Sequence, residues 1–214
     1  MIRQKIREIL EEIGNAELVT VTKSRSIEEI IEAIEAGARI IGENRVDEAR
    51  KKYGMLKDCL KKYNVGYHFI GHLQSNKVNK AVGFFDLIQS VDSVKLAEKI
   101  NKRAEELEIV QDILVQVNIG EEEQKYGVPP GEVSSFIGSL SGLGNIRIKG
   151  LMCIAPYSEN PEDARPYFSR MKKIYRTFDF EYLSMGMTND YRIALEEGSN
   201  MVRIGTAIFG ERKY

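Results

Sequence analysis

A single lysine, Lys23, closes a run of alternating β-branched residues, Val19-Thr20-Val21-Thr22. Far downstream, Ser184-Met185-Gly186-Met187-Thr188 and Arg203-Ile204-Gly205-Thr206 each carry a strand-like run into a turn of small residues. An amine at a strand end can form an imine with a carbonyl compound if it is held neutral, and desolvation or a neighbouring cation favours the neutral form. Arg203 could supply that cation. Small residues let backbone N–H groups approach phosphate oxygens, and the hydroxyls of Ser184 and Thr206 could add donors. These residues together point to a phosphorylated carbonyl compound held by an imine bond. Arg203 has two other roles open to it. Opposite a pyridine nitrogen, a guanidinium donates a hydrogen bond but gives up no proton, which leaves the ring a poor electron sink. It could equally form a structural ion pair at a strand end.

Other polar residues fall at comparable places. Asn44 and Asn118 end the second and fifth strand-like runs and could offer amide hydrogen bonds to a ring substituent, although asparagine also favours turns in its own right. Met152, in the sixth run, is a candidate cofactor contact with core packing as the alternative. The two histidines, His68 and His72, lie in one segment without a third ligand nearby, so no metal site is expected. Cys59 and Cys153 form no metal or redox motif. No nucleophile elbow, Walker loop or dinucleotide fingerprint is present.

Positioning these residues requires a scaffold that repeats. Val- and Ile-rich runs recur at 18–23, 39–42, 67–71, 87–91, 113–118, 148–154, 182–185 and 202–205. Helical periodicity separates most of them. Ile27, Ile30, Ile31 and Ile34 share a face that Gly37 ends. The series Val94 to Leu107, Val133 to Leu140 and Ala164 to Tyr175 behave alike, and the weakest segments are 76–82 and 190–197. Strands alternating with helices specify a parallel sheet covered by helices, and eight of them predict an α/β fold closed as a (β/α)8 TIM barrel rather than an open doubly wound sheet. A helix over 3–13 precedes the first strand and is expected to pack on the barrel's outside or cap its bottom. No linker interrupts the chain, so residues 1–214 are expected to form one domain. With 31 basic and 32 acidic residues, there is no basic surplus to drive binding to nucleic acid or an anionic membrane. The absence of an apolar span or leader predicts a cytoplasmic protein.

These segments resemble the pyridoxal phosphate homeostasis protein family, the short alanine-racemase-like barrels. The similarity covers nearly the whole chain. It runs through Val21-Thr22-Lys23, Gly42-Glu43-Asn44, the segment from His68 to Lys77, Gln116-Val117-Asn118, Lys125-Tyr126-Gly127, Gly150-Leu151-Met152, the segment from Leu183 to Asp190, and that from Arg203 to Gly210. Thr188 stands where many relatives carry serine, and His72 where they carry proline. The resemblance implies a fold-type III barrel without the C-terminal β domain, with pyridoxal 5'-phosphate (PLP) joined to Lys23 as a Schiff base. It implies that Ser184, Gly205 and Thr206 hold the phosphate while Gly186 and Met187 shape the loop. It puts Arg203 at the pyridine nitrogen and Asn44 near the ring. It implies a monomeric carrier or regulator of vitamin B6 and amino-acid balance without an established reaction, whose partners would be apo PLP-dependent enzymes and free amino acids. Because the sequence ends at Tyr214, soon after the eighth run, no second domain is expected to cover the cofactor. A PLP-dependent amino-acid racemase is the alternative, and a lysine aldolase without PLP is a third.

Overall fold

A computed structural model of the chain describes residues 1–211. Eight parallel strands close into a barrel in sequence order, with the last paired to the first. They are β1 (Glu17–Val21), β2 (Ile40–Glu43), β3 (Gly66–Phe69), β4 (Leu87–Val91), β5 (Gln111–Val117), β6 (Ile146–Cys153), β7 (Tyr182–Met187) and β8 (Met201–Ile204). The helices are α1 (Ile2–Ile13), α2 (Ile27–Glu35), α3 (Val46–Tyr63), α4 (Val78–Ala81), α5 (Val94–Glu106), α6 (Val133–Ser139), α7 (Arg165–Tyr175), α8 (Tyr191–Glu196) and α9 (Thr206–Phe209). The expected TIM barrel is therefore present. No helix among the described residues is long and apolar enough to cross a membrane, and no group of His, Cys, Asp and Glu among them could hold a metal ion.

Local chemistry sets the helix ends. Ser26 and Glu29 form a reciprocal capping box at the start of α2. The longest helix, α3, carries Asp47 and Glu48 in its first turn and Lys61 and Lys62 in its last, matching its macrodipole at both ends. α1 lies on the outside of the barrel, where Ile6, Ile9 and Ile13 pack with Leu18, Val202 and Ile208. Each such fully buried aliphatic side chain contributes about 1.5–3 kcal/mol. Glu12 of α1 also takes hydrogen bonds from Tyr191 and Arg192 of α8.

Alternation along the strands sorts their side chains. Ile88, Leu183, Met185, Val202 and Ile204 face the helices. Val19, Leu87, Leu114, Met152 and Met201 face inward and fill the lumen. Above that apolar plug, two residues further along their strands than Leu87, Tyr182 and Met201, lie Gln89, Ser184 and Arg203. The lumen thus turns from apolar to polar toward the C-terminal mouth.

Candidate functional site at the mouth of the barrel

β1 ends at Val21, and Lys23 stands two residues later in the turn, half-buried. The turn follows the C-terminal end of β1, whose Val19 packs in the lumen, so Lys23 stands at the mouth end of the barrel. Its neighbours are fixed from outside the barrel. Lys52 Nζ, on α3, donates to Thr22 O at 2.7 Å and to Glu43 Oε1 at 2.8 Å, and pairs with Glu48 Oε1 at 2.7 Å. Thr22 Oγ1 donates to Glu43 Oε1 at 2.7 Å, and Ser24 N–H donates to Glu48 Oε1 at 2.7 Å. Burial pushes the Glu43 carboxyl above its ordinary range, against the pull of Lys52 and Thr22.

Arg203 occupies the lumen at 3% exposure. Its Nη1 donates to Ser184 Oγ at 2.7 Å and its Nη2 to Cys153 O at 2.8 Å. A guanidinium can only donate, so the Ser184 hydroxyl must direct its own hydrogen elsewhere. It does so toward Gln89 Oε1 at 2.7 Å. Gln89 Nε2 then lies 3.1 Å from His68 Nδ1, which must accept. Every proton in this chain of bonds is fixed by the arginine at one end. Desolvation pushes His68 down to about 3, keeping it neutral as the bonding pattern requires.

The last residues of β7 and the segments after β7 and β8 complete the mouth. Gly186 adopts φ +96, and a Cβ there would lie 2.6 Å from Ala194 Cβ. Met187 N–H donates to Asp190 Oδ1 at 2.6 Å, which folds the loop back on itself. Gly205 precedes α9 and Thr206 is its first residue, and both are at least partly open to solvent. The first N–H groups of a helix have no partner within it. Ala207 N–H approaches Thr188 Oγ1 at 3.4 Å, joining the two loops. Between Met187, Asp190, Ile154 and Pro156 lies a cavity of about 130 Å³.

The structure brings Lys23, Arg203, Gly186, Met187, Gly205 and Thr206 to one end of the barrel. Asn44, immediately after β2, joins a groove of about 630 Å³ with Glu48, His72 and Tyr126. The His72 and Tyr126 rings stack there at 3.6 Å. Three further candidates are engaged within the protein, Met152 in the core packing and Asn118 in the turn that the sequence leaves open for them. Ser184 is fully buried, its hydroxyl held by Arg203 and Gln89 in the lumen. Met152 is fully buried in the lumen core. Asn118 uses its side chain on its own loop, donating to Glu122 O at 2.9 Å and accepting from Glu122 N–H. Sequence reasoning misses Lys52, Glu48, Gln89 and Asp190. Lys52 did leave a signal: it is a lysine on the helix face that buries Ala49 and Leu56.

The family description "Alanine racemase, N-terminal domain" matches residues 1–213. A pyridoxal phosphate homeostasis protein of Aquifex aeolicus is 43% identical, over 100% of this chain and 96% of its own. The structure of PipY from Synechococcus elongatus PCC7942, with PLP bound, is similar at TM-score 0.89 and 33% identity, covering 98% of this chain and 100% of PipY. An alanine racemase of Bartonella henselae shares the fold at TM-score 0.80 and 14% identity, with 60% of its chain covered.

Proposed function

The chain belongs to the pyridoxal phosphate homeostasis proteins of the alanine racemase N-terminal-domain family, and from that premise we propose that it binds PLP and serves in the homeostasis of that cofactor. The residues at the mouth fit such a group. Gly186, with no room for a Cβ, and Gly205, ahead of a helix start, offer backbone to an anionic phosphate, with Thr206 and Thr188 adding hydroxyls. Arg203 offers donor capacity beyond its bonds to Ser184 and Cys153. Lys23 supplies the amine, and Asn44 and Met187 stand at the C-terminal ends of β2 and β7, at the same end of the barrel. Ser184 and Met152 act from beneath, the first by holding Arg203 and the second by filling the lumen.

When bound, PLP supplies an aldehyde that condenses with amines and a ring that draws electrons when its nitrogen is protonated. Arg203 would hold that nitrogen by donation without surrendering a proton, which favours storage and delivery over racemisation. The protein would act as a monomer in the cytoplasm, with free amino acids and apo-enzymes as its exchange partners. The observation that carries this reading is the convergence on one barrel end of a lysine, a buried donor-only cation and a glycine-shaped loop pair. Borohydride reduction after loading with PLP, followed by peptide mapping, is expected to mark Lys23. A mark on another lysine removes the site assignment. Failure of the loaded protein to activate an apo-enzyme that free PLP activates removes the delivery role.

A further inference from the structure

The backbone on both sides of Lys23 is tied to one ion cluster, buried at Lys52 and Glu43 and partly exposed at Glu48. Thr22 O accepts from Lys52 at 2.7 Å, and Ser24 N–H donates to Glu48 at 2.7 Å. Lys52 and Glu48 also bond each other, one helical turn apart on α3. Lys52 is 8% exposed and Glu43 fully buried. Buried ion clusters are poor stabilisers compared with packed apolar groups, so their retention calls for another explanation. Packing alone would be served by an apolar residue at position 52, between Ala49 and Leu56. Ser24 holds a left-handed φ of +59 without being glycine, a conformation that persists only where surrounding bonds enforce it. Glu48 is placed to enforce it.

We propose that Lys52 and Glu48 are positioning residues for Lys23, clamping the turn so that its amine meets the cofactor's aldehyde in one orientation. This rests on the PLP reading. In the attachment itself, the neutral lysine nitrogen bonds to the aldehyde carbon, and the aldehyde oxygen leaves as water with both amine hydrogens. The clamp takes no proton in that step. Its contribution is alignment, where misplacement by about 1 Å can cost up to roughly a hundredfold in rate.

The test follows Schiff-base absorbance after PLP is mixed with the cofactor-free full chain, with borohydride mapping as the control. Glu48→Ala removes the acceptor of Ser24 N–H and is expected to slow attachment by about tenfold. Glu48→Gln keeps an oxygen there and is expected to stay within about twofold of the parent. Lys52→Met in a Glu43→Gln background avoids a stranded carboxylate, and is the second probe should Glu48→Ala misfold; it is expected to slow attachment similarly. A folded Glu48→Ala or double variant that attaches PLP at the parent rate overturns the clamp. A parent that gives no mark at Lys23 overturns the PLP reading itself, so the two failures are distinguishable.

Discussion

The two sides of the barrel mouth meet the same conformational demand with different materials. After β1, Ser24 turns the chain at φ +59 with its N–H held by a carboxylate from outside the barrel. Near the end of β7, Gly186 bends the strand at φ +96 with no side chain at all. The first solution relies on buried charge, through Lys52, Glu43 and Glu48. The second relies on the missing Cβ and on an internal bond from Met187 N–H to Asp190. The turn that carries Lys23 is thus held by removable side chains, whereas the segment at Gly186 is held by sterics. Substitutions should therefore weaken the first side by degrees and fail abruptly on the second.

Lys23→Ala carries the largest expected effect. It removes the amine and should abolish borohydride-fixed PLP altogether, while circular dichroism stays that of the parent. If the variant holds PLP as firmly as the parent, covalent attachment is not what this side of the mouth provides. Gly186→Ala is expected to come next, because its Cβ would meet Ala194 Cβ at 2.6 Å and Tyr191 Cα at 2.9 Å in a left-handed conformation. Strain and overpacking together should cost about 2–4 kcal/mol in urea unfolding. Ser24→Gly, the matching change on the other side, relieves a left-handed residue and should alter stability by no more than about 1 kcal/mol. Equal losses from the two changes would erase the distinction between the sides.

The barrel itself was legible because strand-forming runs and helical stripes alternate with little interruption, and all eight strands fall where the runs lie. The limits of the reading were local. The first run extends two residues beyond β1, because Thr22 is β-branched like the strand it follows. The longest helix, α3, is less legible because lysines and an arginine, among them the buried Lys52, crowd its apolar positions. The depth of Ser184 and Met152 was also hidden. Alternation within one strand gives a side chain's face, but its height in the lumen depends on the register of all eight strands. The bond that Ser184 takes from Arg203 is likewise invisible in the sequence, because it joins two neighbouring strands across the lumen.

The lumen can be broken separately from both sides. Gln89→Leu keeps the volume roughly but leaves Ser184 Oγ and His68 Nδ1 without their partner. Unsatisfied buried groups cost about 1–3 kcal/mol, so chemical denaturation should shift by that amount. Arg203 would lose the alignment of its Ser184 contact, and PLP affinity should fall with it. Unchanged affinity in a destabilised Gln89→Leu would mean that the chain of bonds supports the fold alone.

The smallest effect separates the lumen from the clamp by pH. Folded His68 is held at about 3 from an ordinary 6.5, so it stays neutral while the unfolded chain takes up a proton. Its contribution to stability is whole above pH 6.5 and is lost as pH falls toward 3, at about 1.4 kcal/mol per pH unit. In the clamp the carboxyls oppose each other. Glu43, raised by burial, contributes below its unfolded value and loses that contribution as pH rises through its folded value. At Glu48 burial pushes upward, but the bonds from Lys52 and Ser24 N–H win and lower it, so its contribution is lost as pH falls. With the two partly cancelling, His68 should dominate the slope between pH 6.5 and 5. His68→Asn retains an acceptor for Gln89 but cannot titrate. Between pH 7 and 5 the parent should therefore lose about 2 kcal/mol more than this variant in urea unfolding. Parallel losses would move the origin of the acid limb from the lumen to the clamp.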